Sequence, residues 1–143
     1  MLQPPESRHC VLLVDDDDAV RRSLQLLLQS RGYAVRAYPS AVRLASDPAA
    51  LECGCLLADL MMAQTDAVEL LTELRAVGWK GRSILISGFL DDRREALARA
   101  AGYEVVLPKP ISQSVLIRTI EELWPHVEFP QLSQCAKRTD TRG

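Results

Sequence analysis

Positions 11–18 read VLLVDDDD, four apolar residues followed by four aspartates. A short, continuous apolar run is typical of a β-strand that is buried on both faces. Four adjacent carboxylates at a strand end repel one another, because each added negative charge raises the cost of ionising its neighbours. Full solvation, a helix N-terminus or a bound cation relieves that repulsion. The stretch therefore predicts a strand whose carboxyl end carries an acidic site.

The acidic run, Asp15–Asp18, allows three interpretations. A hard dication such as Mg²⁺ takes oxygen ligands and is commonly held by one or two carboxylates together with water and phosphate. Asp17 or Asp18 could instead cap the next helix through a side-chain oxygen, and the whole run could be a solvated acidic loop. A calcium-binding EF-hand loop fits poorly, since the run lacks the turn glycine and the terminal glutamate of that loop.

Length and composition indicate one globular domain. The chain has 143 residues, of which 48% are hydrophobic and 25% charged, and this length can form a single good core. The net charge of −2 argues against direct binding of nucleic acid. No apolar stretch approaches the ~20 residues that span a bilayer, and the segment 1–9 lacks the apolar core of a signal peptide. We therefore expect a cytoplasmic protein that does not bind a membrane.

The four cysteines are Cys10, Cys53, Cys55 and Cys135. Without a secretion signal, disulfides are not expected. The spacing of the cysteines does not match that of a structural zinc site. Cys10 and Cys55 adjoin apolar strands, so we expect them to be small buried packing residues.

Strands alternate with helices along the chain. We predict strands at 10–14, 33–38, 55–58, 83–87 and 104–107, and helices at 19–31, 40–46, 66–77, 91–101 and 112–124. This order indicates an α/β fold, namely a doubly wound five-stranded parallel sheet with helices on both faces. We expect an N-terminal extension at 1–9, the domain at 10–124, and a polar, mobile tail at 125–143.

Functional residues of such sheets lie just beyond the carboxyl ends of the strands. An aspartate near a metal site, a hydroxyl and a lysine has the parts of a phosphoryl acceptor. Asp59 would be the nucleophile, and Lys109 would pair first with Asp59 and then with a phosphate oxygen. Ser87 would donate to another phosphate oxygen, while Asp15, Asp16 and Asp59 would hold Mg²⁺ or Mn²⁺. Taken singly, each of these residues could be an ordinary turn, cap or loop residue.

The ordered set of motifs resembles the receiver domain of two-component response regulators, over about residues 10–124. The stretch 14–17 looks like the acidic motif after the first strand of that family, and Asp59 matches its phosphoacceptor. Ser87-Gly88 matches the hydroxyl residue followed by a small one, and Lys109-Pro110 matches a Lys-Pro pair whose peptide bond is usually cis. The spacings are similar to those of nodulation and nitrogen-fixation regulators. The resemblance implies a flavodoxin-like fold with strand order 2-1-3-4-5.

Three of the positions that depart from the pattern of this family bear on its switch and on the lifetime of the phosphate. Val106 stands where the family has a switch aromatic, three residues before the lysine, which puts the output switch in question. Met61 and Phe89 occupy positions that flank the path of the attacking water in the family. Because both side chains are bulky and apolar, we predict slow hydrolysis of the aspartyl-phosphate. A fast hydrolysis that the substitution Met61→Asn does not accelerate further would contradict this prediction.

The resemblance implies phosphorelay signalling without turnover of outside substrates. A sensor histidine kinase or a phosphotransfer protein would donate the phosphoryl group, and phosphorylation would shift a conformational equilibrium that controls contact with a downstream protein. A homodimer is compatible with such a switch. The alternatives are a receiver fragment of a larger regulator or hybrid kinase, a degenerate receiver, a flavin-binding electron carrier and an Asp-nucleophile phosphatase. Acids in place of a glycine-rich phosphate loop disfavour the flavin carrier.

Overall fold

A computed structural model of the chain describes residues 9–59, 67–88 and 91–125. Most of the predicted N-terminal extension and of the predicted tail lies outside these ranges, so the domain limits stay predictions. Within the described residues, no helix has both the length and the apolar character that crossing a membrane requires.

The core of the fold is a five-stranded parallel sheet in the order β2-β1-β3-β4-β5. This architecture confirms the predicted fold class. All residues of β1 and β3 are buried, as expected of central strands that are covered on both faces. The strands are β1 Cys10–Val14, β2 Ala34–Tyr38, β3 Cys55–Asp59, β4 Arg82–Ser87 and β5 Val105–Pro108.

Helices cover both faces of the sheet. Alternate strand residues point to opposite faces, and two buried apolar clusters result, one with Leu12 and Leu56 and the other with Leu13 and Leu57. The first cluster packs against α3 and α4, and the second against α1 and α5. The helices are α1 Asp18–Ser30, α2 Pro48–Leu51, α3 Ala67–Ala76, α4 Asp92–Ala101 and α5 Gln113–Leu123.

The segment after β2 differs from the prediction. We predicted a helix at 40–46, but the structure has only a short 3₁₀ helix, Leu44–Ser46, followed by the separate helix α2. The start of α2 is set by Asp47, whose side chain accepts from the backbone N–H of Ala49, and by Pro48 at the first helical position. An Asp-Pro pair is a recognised helix-start signal, and the prediction overlooked it. The other described boundaries agree with the prediction to within one residue.

Candidate functional site

The predicted site residues lie together where four strands end. We call this side of the sheet, formed by the C-terminal ends of the strands, the carboxyl edge. Asp15 directly follows β1, and Asp59 is the last residue of β3 rather than the first residue after it. Ser87 is the last residue of β4, and Lys109 directly follows β5. Because the strands are parallel, residues that are far apart in sequence become neighbours here.

Three carboxylates form a cluster at this edge. One carboxylate oxygen from each of Asp15, Asp16 and Asp59 lies within 4.8 Å of the others. Asp15 and Asp59 are only 1% and 6% exposed, whereas Asp16 is exposed. Carboxylate oxygens are the ligands that Mg²⁺ and Mn²⁺ prefer, and a cation would also relieve the repulsion between buried acids. The donor set therefore fits a hard divalent cation.

The electrostatics of Asp15 depend on its burial. Burial raises the pKa of Asp15 above its ordinary value, and the negative charge of Asp59 raises it further. The backbone N–H of Asp17 donates to Asp15 Oδ1 at 2.9 Å and partly offsets this rise in the pKa. A carboxylate that is costly to ionise in the metal-free protein gains strongly from a nearby positive charge.

The last two aspartates of the run have other partners. Asp17 caps α1, since its Oδ1 accepts from the backbone N–H groups of Ala19 and Val20 at 2.9 and 3.0 Å. Asp18 is solvated, with a side chain that is 89% exposed and pairs with Arg21 at 2.6 Å. A carboxylate cluster, a helix cap and a solvated acid therefore coexist within one run of four residues.

Arg21 is a residue of the site that sequence reasoning missed. Its Nη1 donates to the backbone oxygen of Asp15 at 2.9 Å, so the first turn of α1 holds the end of β1. The sequence carried a weak signal for this, because Arg21 lies three residues after Asp18 and such pairs meet on a helix surface.

Lys109 forms an ion pair with Asp59. Lys109 Nζ lies 2.9 Å from Asp59 Oδ2. Burial alone would lower the pKa of the lysine, but the hydrogen bond to Asp59 and the charges of Asp59 and Asp15 outweigh it, so the pKa is raised above its ordinary value. The lysine therefore carries a positive charge at neutral pH, beside the carboxylate that we predicted to be the nucleophile.

The position of Lys109 is set by the backbone of two strand ends. Its N–H donates to the carbonyl of Ser87 at 2.9 Å, and its bond to Pro110 is cis, as the resemblance implied. A Cβ atom on Gly88 would lie 3.4 Å from Lys109 Cδ. This is ordinary contact distance, so the lysine stem passes directly beside Gly88 on its way to Asp59.

The departures at Val106, Met61 and Phe89 have different outcomes. Val106 lies in β5, half-buried against the first core cluster. Met61 and Phe89 lie outside the described residues, so the prediction of slow hydrolysis stays a prediction. Tyr103, three residues before Val106, is 2% exposed, and its hydroxyl donates to the backbone oxygen of Ala67 at 2.7 Å. This contact joins the turn after α4 to the start of α3.

Known proteins share this fold and much of this sequence. A family model described as the response regulator receiver domain matches residues 11–121. The transcriptional regulatory protein FixJ of Azorhizobium caulinodans is 36% identical over 110 residues, which are 77% of this chain and 52% of that protein. The sensor kinase CckA of Brucella abortus is also 36% identical, over 79% of this chain and 12% of that protein.

Solved structures agree with the sequence matches. The crystal structure of FixJ-N superposes with a TM-score of 0.74 at 31% identity, covering 89% of this chain and 98% of that one. The chain spans about half the length of the curated response regulators that it matches. A family match over most of the chain, the strand order and the acidic edge lead to one conclusion. The chain belongs to the receiver domain family of two-component response regulators, the modules of phosphorelay signalling.

Proposed function

We propose that Asp59 accepts a phosphoryl group in a reaction that depends on Mg²⁺ or Mn²⁺. The observation that carries this proposal is the convergence of the ion pair between Asp59 and Lys109 with the carboxylates of Asp15 and Asp16 at one edge. A nucleophilic carboxylate, a fixed positive charge and a set of oxygen ligands are the groups that phosphoryl transfer requires.

The proposed step moves one phosphoryl group from a histidine to Asp59. A carboxylate oxygen of Asp59 forms the new P–O bond while the P–N bond of the phosphohistidine breaks, and the histidine nitrogen takes up a proton. Lys109 stays near the transferred group and compensates the negative charge on a phosphate oxygen, and the hydroxyl of Ser87 donates to another. Asp15, Asp16 and Asp59 would hold the cation, which neutralises charge on the phosphoryl oxygens when bound.

The activity that we propose is confined to phosphorylation and dephosphorylation of Asp59 itself. Receiver domains are signalling modules, and an Asp-nucleophile phosphatase is the alternative in which outside substrates are turned over. Such a phosphatase typically has a second acid two residues after its nucleophile, to act as general acid. This chain has Met61 at that position, which supports the receiver.

Response regulators work with sensor histidine kinases, and an apolar cleft beside Lys109 supports docking of a histidine-bearing donor here. The cleft has a volume of about 340 Å³ and lies between α1 and the residues after β5, with Leu24, Leu27 and Ile111 among its lining residues. A donor seated there would bring its phosphohistidine close to Asp59, because Lys109 lines the cleft and also contacts Asp59.

We further propose that phosphorylation shifts a conformational equilibrium and so controls contact with a downstream protein, with a homodimer as one form of that contact. The net charge of −2 supports a protein partner over nucleic acid. A cytoplasmic location fits a partner kinase that phosphorylates its regulator inside the cell.

Matches to about half of FixJ and to a segment of a sensor kinase support a further proposal, that this receiver belongs to a longer regulator or hybrid kinase.

The first test is the intact mass of the protein after incubation with acetyl phosphate, with and without Mg²⁺. We expect one added phosphoryl group on the wild type with Mg²⁺ and none on Asp59→Ala. Asp18→Ala is the matched control, because this acid of the same run is 89% exposed and lies outside the three-carboxylate cluster, so the adduct should form as in the wild type. An adduct that persists in Asp59→Ala would contradict the proposal.

The docking cleft has a separate test. Leu27→Ser should slow phosphoryl transfer from a partner histidine kinase by at least about tenfold, because it removes apolar surface from the proposed contact. The same variant should react with acetyl phosphate at the wild-type rate, since a small donor does not need the cleft. Equal slowing with both donors would show that the substitution acts on the site itself rather than on docking.

A further inference from the structure

Two thiols meet at the opposite edge of the sheet, which we call the amino edge. Cys10 is the first residue of β1, and Cys53 lies two residues before β3. Their sulfur atoms are 2.8 Å apart although the residues are 43 positions apart in sequence, and each cysteine is only 3% exposed. Both are free thiols.

The backbone keeps these two cysteines next to each other. The N–H of Gly54 donates to the carbonyl of Cys10 at 3.0 Å, and Trp79 Nε1 donates to the carbonyl of Cys53 at 2.7 Å. A disulfide needs neighbouring backbones and a sulfur–sulfur distance of about 2.05 Å. Closing the remaining gap requires only a small side-chain movement, because the two chain segments are already hydrogen-bonded to each other.

We propose that Cys10 and Cys53 form a redox modification site, at which a hydroperoxide oxidises the pair to a reversible intramolecular disulfide. This proposal departs from our expectation that disulfides are absent, which rested on the lack of a secretion signal. Reversible, redox-sensing disulfides occur in reducing compartments as well.

The surroundings give the two thiols different roles. The hydrogen bond from Cys53 lowers the pKa of Cys10, and the positive charge of Arg36 lowers it further, against the opposing effect of burial. The pKa of Cys53 is raised by the same hydrogen bond and by burial. Cys10 therefore loses its proton more readily than Cys53 and is assigned the attack on the oxidant, since the thiolate is the nucleophilic form of cysteine, and Cys53 is the thiol that resolves the intermediate.

The oxidation proceeds in two balanced steps. The Cys10 thiolate attacks one oxygen of hydrogen peroxide, the O–O bond breaks, and with one proton the products are a sulfenic acid on Cys10 and water. Cys53 then attacks the sulfenic sulfur, forming the S–S bond and releasing a second water. Overall, two thiols and one peroxide give one disulfide and two waters, so the two sulfur atoms are oxidised and the peroxide is reduced.

A small oxidant can approach the pair from the side of Cys53. Cys53 borders a polar cleft of about 770 Å³ at the amino edge, together with Gly54, Trp79 and Arg82. Cys55, two residues further on, is fully buried inside β3, and burial raises its pKa to about 12. The chain thus offers a buried, unreactive thiol beside the proposed pair as an internal comparison.

The experiment uses the full chain, reduced and then exposed to hydrogen peroxide. Free thiols are blocked with N-ethylmaleimide in denaturant, and the protein is analysed by intact mass and peptide mapping without reductant. We expect the loss of two of the four reactive thiols, a peptide pair linking Cys10 to Cys53, and complete reversal by dithiothreitol. The melting temperature of the oxidised protein should rise by about 5 °C or more, since the bridge closes a long loop of the unfolded chain.

Three variants make the result specific. Cys53→Ala should form no disulfide and should instead carry added oxygen on Cys10, because no second thiol attacks the sulfenic sulfur. Cys55→Ala and Cys135→Ser should still lose two thiols to the bridge. A bridge between any other pair, a bridge only between chains, or four reactive thiols after peroxide treatment would overturn the proposal. The peptide map of the wild type decides the question by itself if Cys53→Ala does not fold.

Discussion

The two edges of the sheet carry opposite kinds of chemistry on the same strands. At the carboxyl edge, β1 and β3 end in the buried acids Asp15 and Asp59, which face the charged Lys109. At the amino edge, the segments that enter the same two strands carry the thiols of Cys10 and Cys53. At ~3.3 Å per residue, the five residues from Cys10 to Asp15 place the two sites about 16 Å apart.

The difference shows how a fully apolar strand separates two reactive ends. Between the edges, β1 and β3 contribute only buried apolar side chains, so neither a proton nor a charged ligand has polar groups to follow from one site to the other. The carboxyl edge is charged and suited to a cation and a phosphoryl group. The amino edge is built around two thiols and the indole ring of Trp79. We expect changes at one edge to leave the function of the other largely intact.

The largest expected effect comes from removing the charge of Lys109. Lys109→Met should slow phosphorylation by acetyl phosphate about 10²-fold, because the transferred oxygens lose a fixed positive charge. The rate is measured by intact mass over time, with peroxide oxidation of Cys10 and Cys53 as the readout of the other edge. A variant that phosphorylates at the wild-type rate would show that Lys109 does not act on the reacting group.

The converse test breaks the amino edge. A Cβ atom on Gly81 would overlap the Trp79 ring and lie 2.7 Å from the backbone oxygen of Gly54, so Gly81→Ala should reduce the free energy of unfolding by about 1–3 kcal/mol. Urea unfolding measures this loss. Gly88→Ala at the carboxyl edge is the matched control, since its Cβ would meet Lys109 at ordinary contact distance. Equal losses in both variants would contradict the packing that we describe.

Neutralising Asp15 sharpens the comparison within the carboxyl edge. Asp15→Asn should weaken Mg²⁺ binding at least about tenfold, since a charged oxygen ligand is lost. The metal-free protein should become more stable, because a buried carboxylate next to Asp59 is removed. Isothermal titration and thermal melting measure the two effects, with Asp18→Asn as control. Unchanged Mg²⁺ affinity in Asp15→Asn would remove Asp15 from the proposed ligand set.

Tyr103 tests whether the two edges are mechanically independent. Its hydroxyl reaches from the turn after α4 to the first residue of α3, which follows the segment after Asp59. Tyr103→Phe keeps the ring and removes this hydrogen bond, so it should cost about 1 kcal/mol of stability in urea unfolding. The phosphorylation rate should change less than about twofold, because a loss of about 1 kcal/mol leaves nearly all of the protein folded. A larger change in rate would show that the hydroxyl couples the edges.

The smallest effect is the pH dependence of the metal-free protein. The pKa of Asp15 is raised in the folded state, so the folded protein retains a proton that the unfolded chain has already lost. This contribution to stability is present at low pH and is lost as pH rises from the ordinary value of 3.8 through the raised pKa. Across this pH range, the melting temperature should fall less in Asp15→Asn than in the wild type. Saturating Mg²⁺ should reverse the direction of this pH dependence, so that stability rises with pH, because the cation favours the ionised carboxylate.

Much of the carboxyl edge could be predicted from the sequence, and most of the amino edge could not. Asp15, Asp59, Ser87 and Lys109 each stand where an apolar run ends, and parallel strands bring such ends together. The ion pair of Lys109 with Asp59 follows from that placement.

The thiol pair depends instead on the path of an irregular segment. Cys53 lies between α2 and β3, where no periodic pattern fixes the direction of the chain, and the prediction placed the preceding helix at 40–46 rather than at Pro48–Leu51. Tyr103 reaches Ala67 only because α3 and α4 pack side by side. The distance between two helices is a tertiary property that a single sequence pattern does not contain.

The cap of α1 has a thermodynamic consequence for the metal site. Asp17 closes the first turn through the amides of Ala19 and Val20, and its own N–H holds Asp15 Oδ1. Fraying of that turn would release the carboxylate from its fixed orientation, so opening of the helix end would be linked to loss of a cation from the proposed site. The amide protons of Ala19 and Val20 should therefore exchange with solvent more slowly as the Mg²⁺ concentration rises. Their protection would then report the fraction of protein that has Mg²⁺ bound.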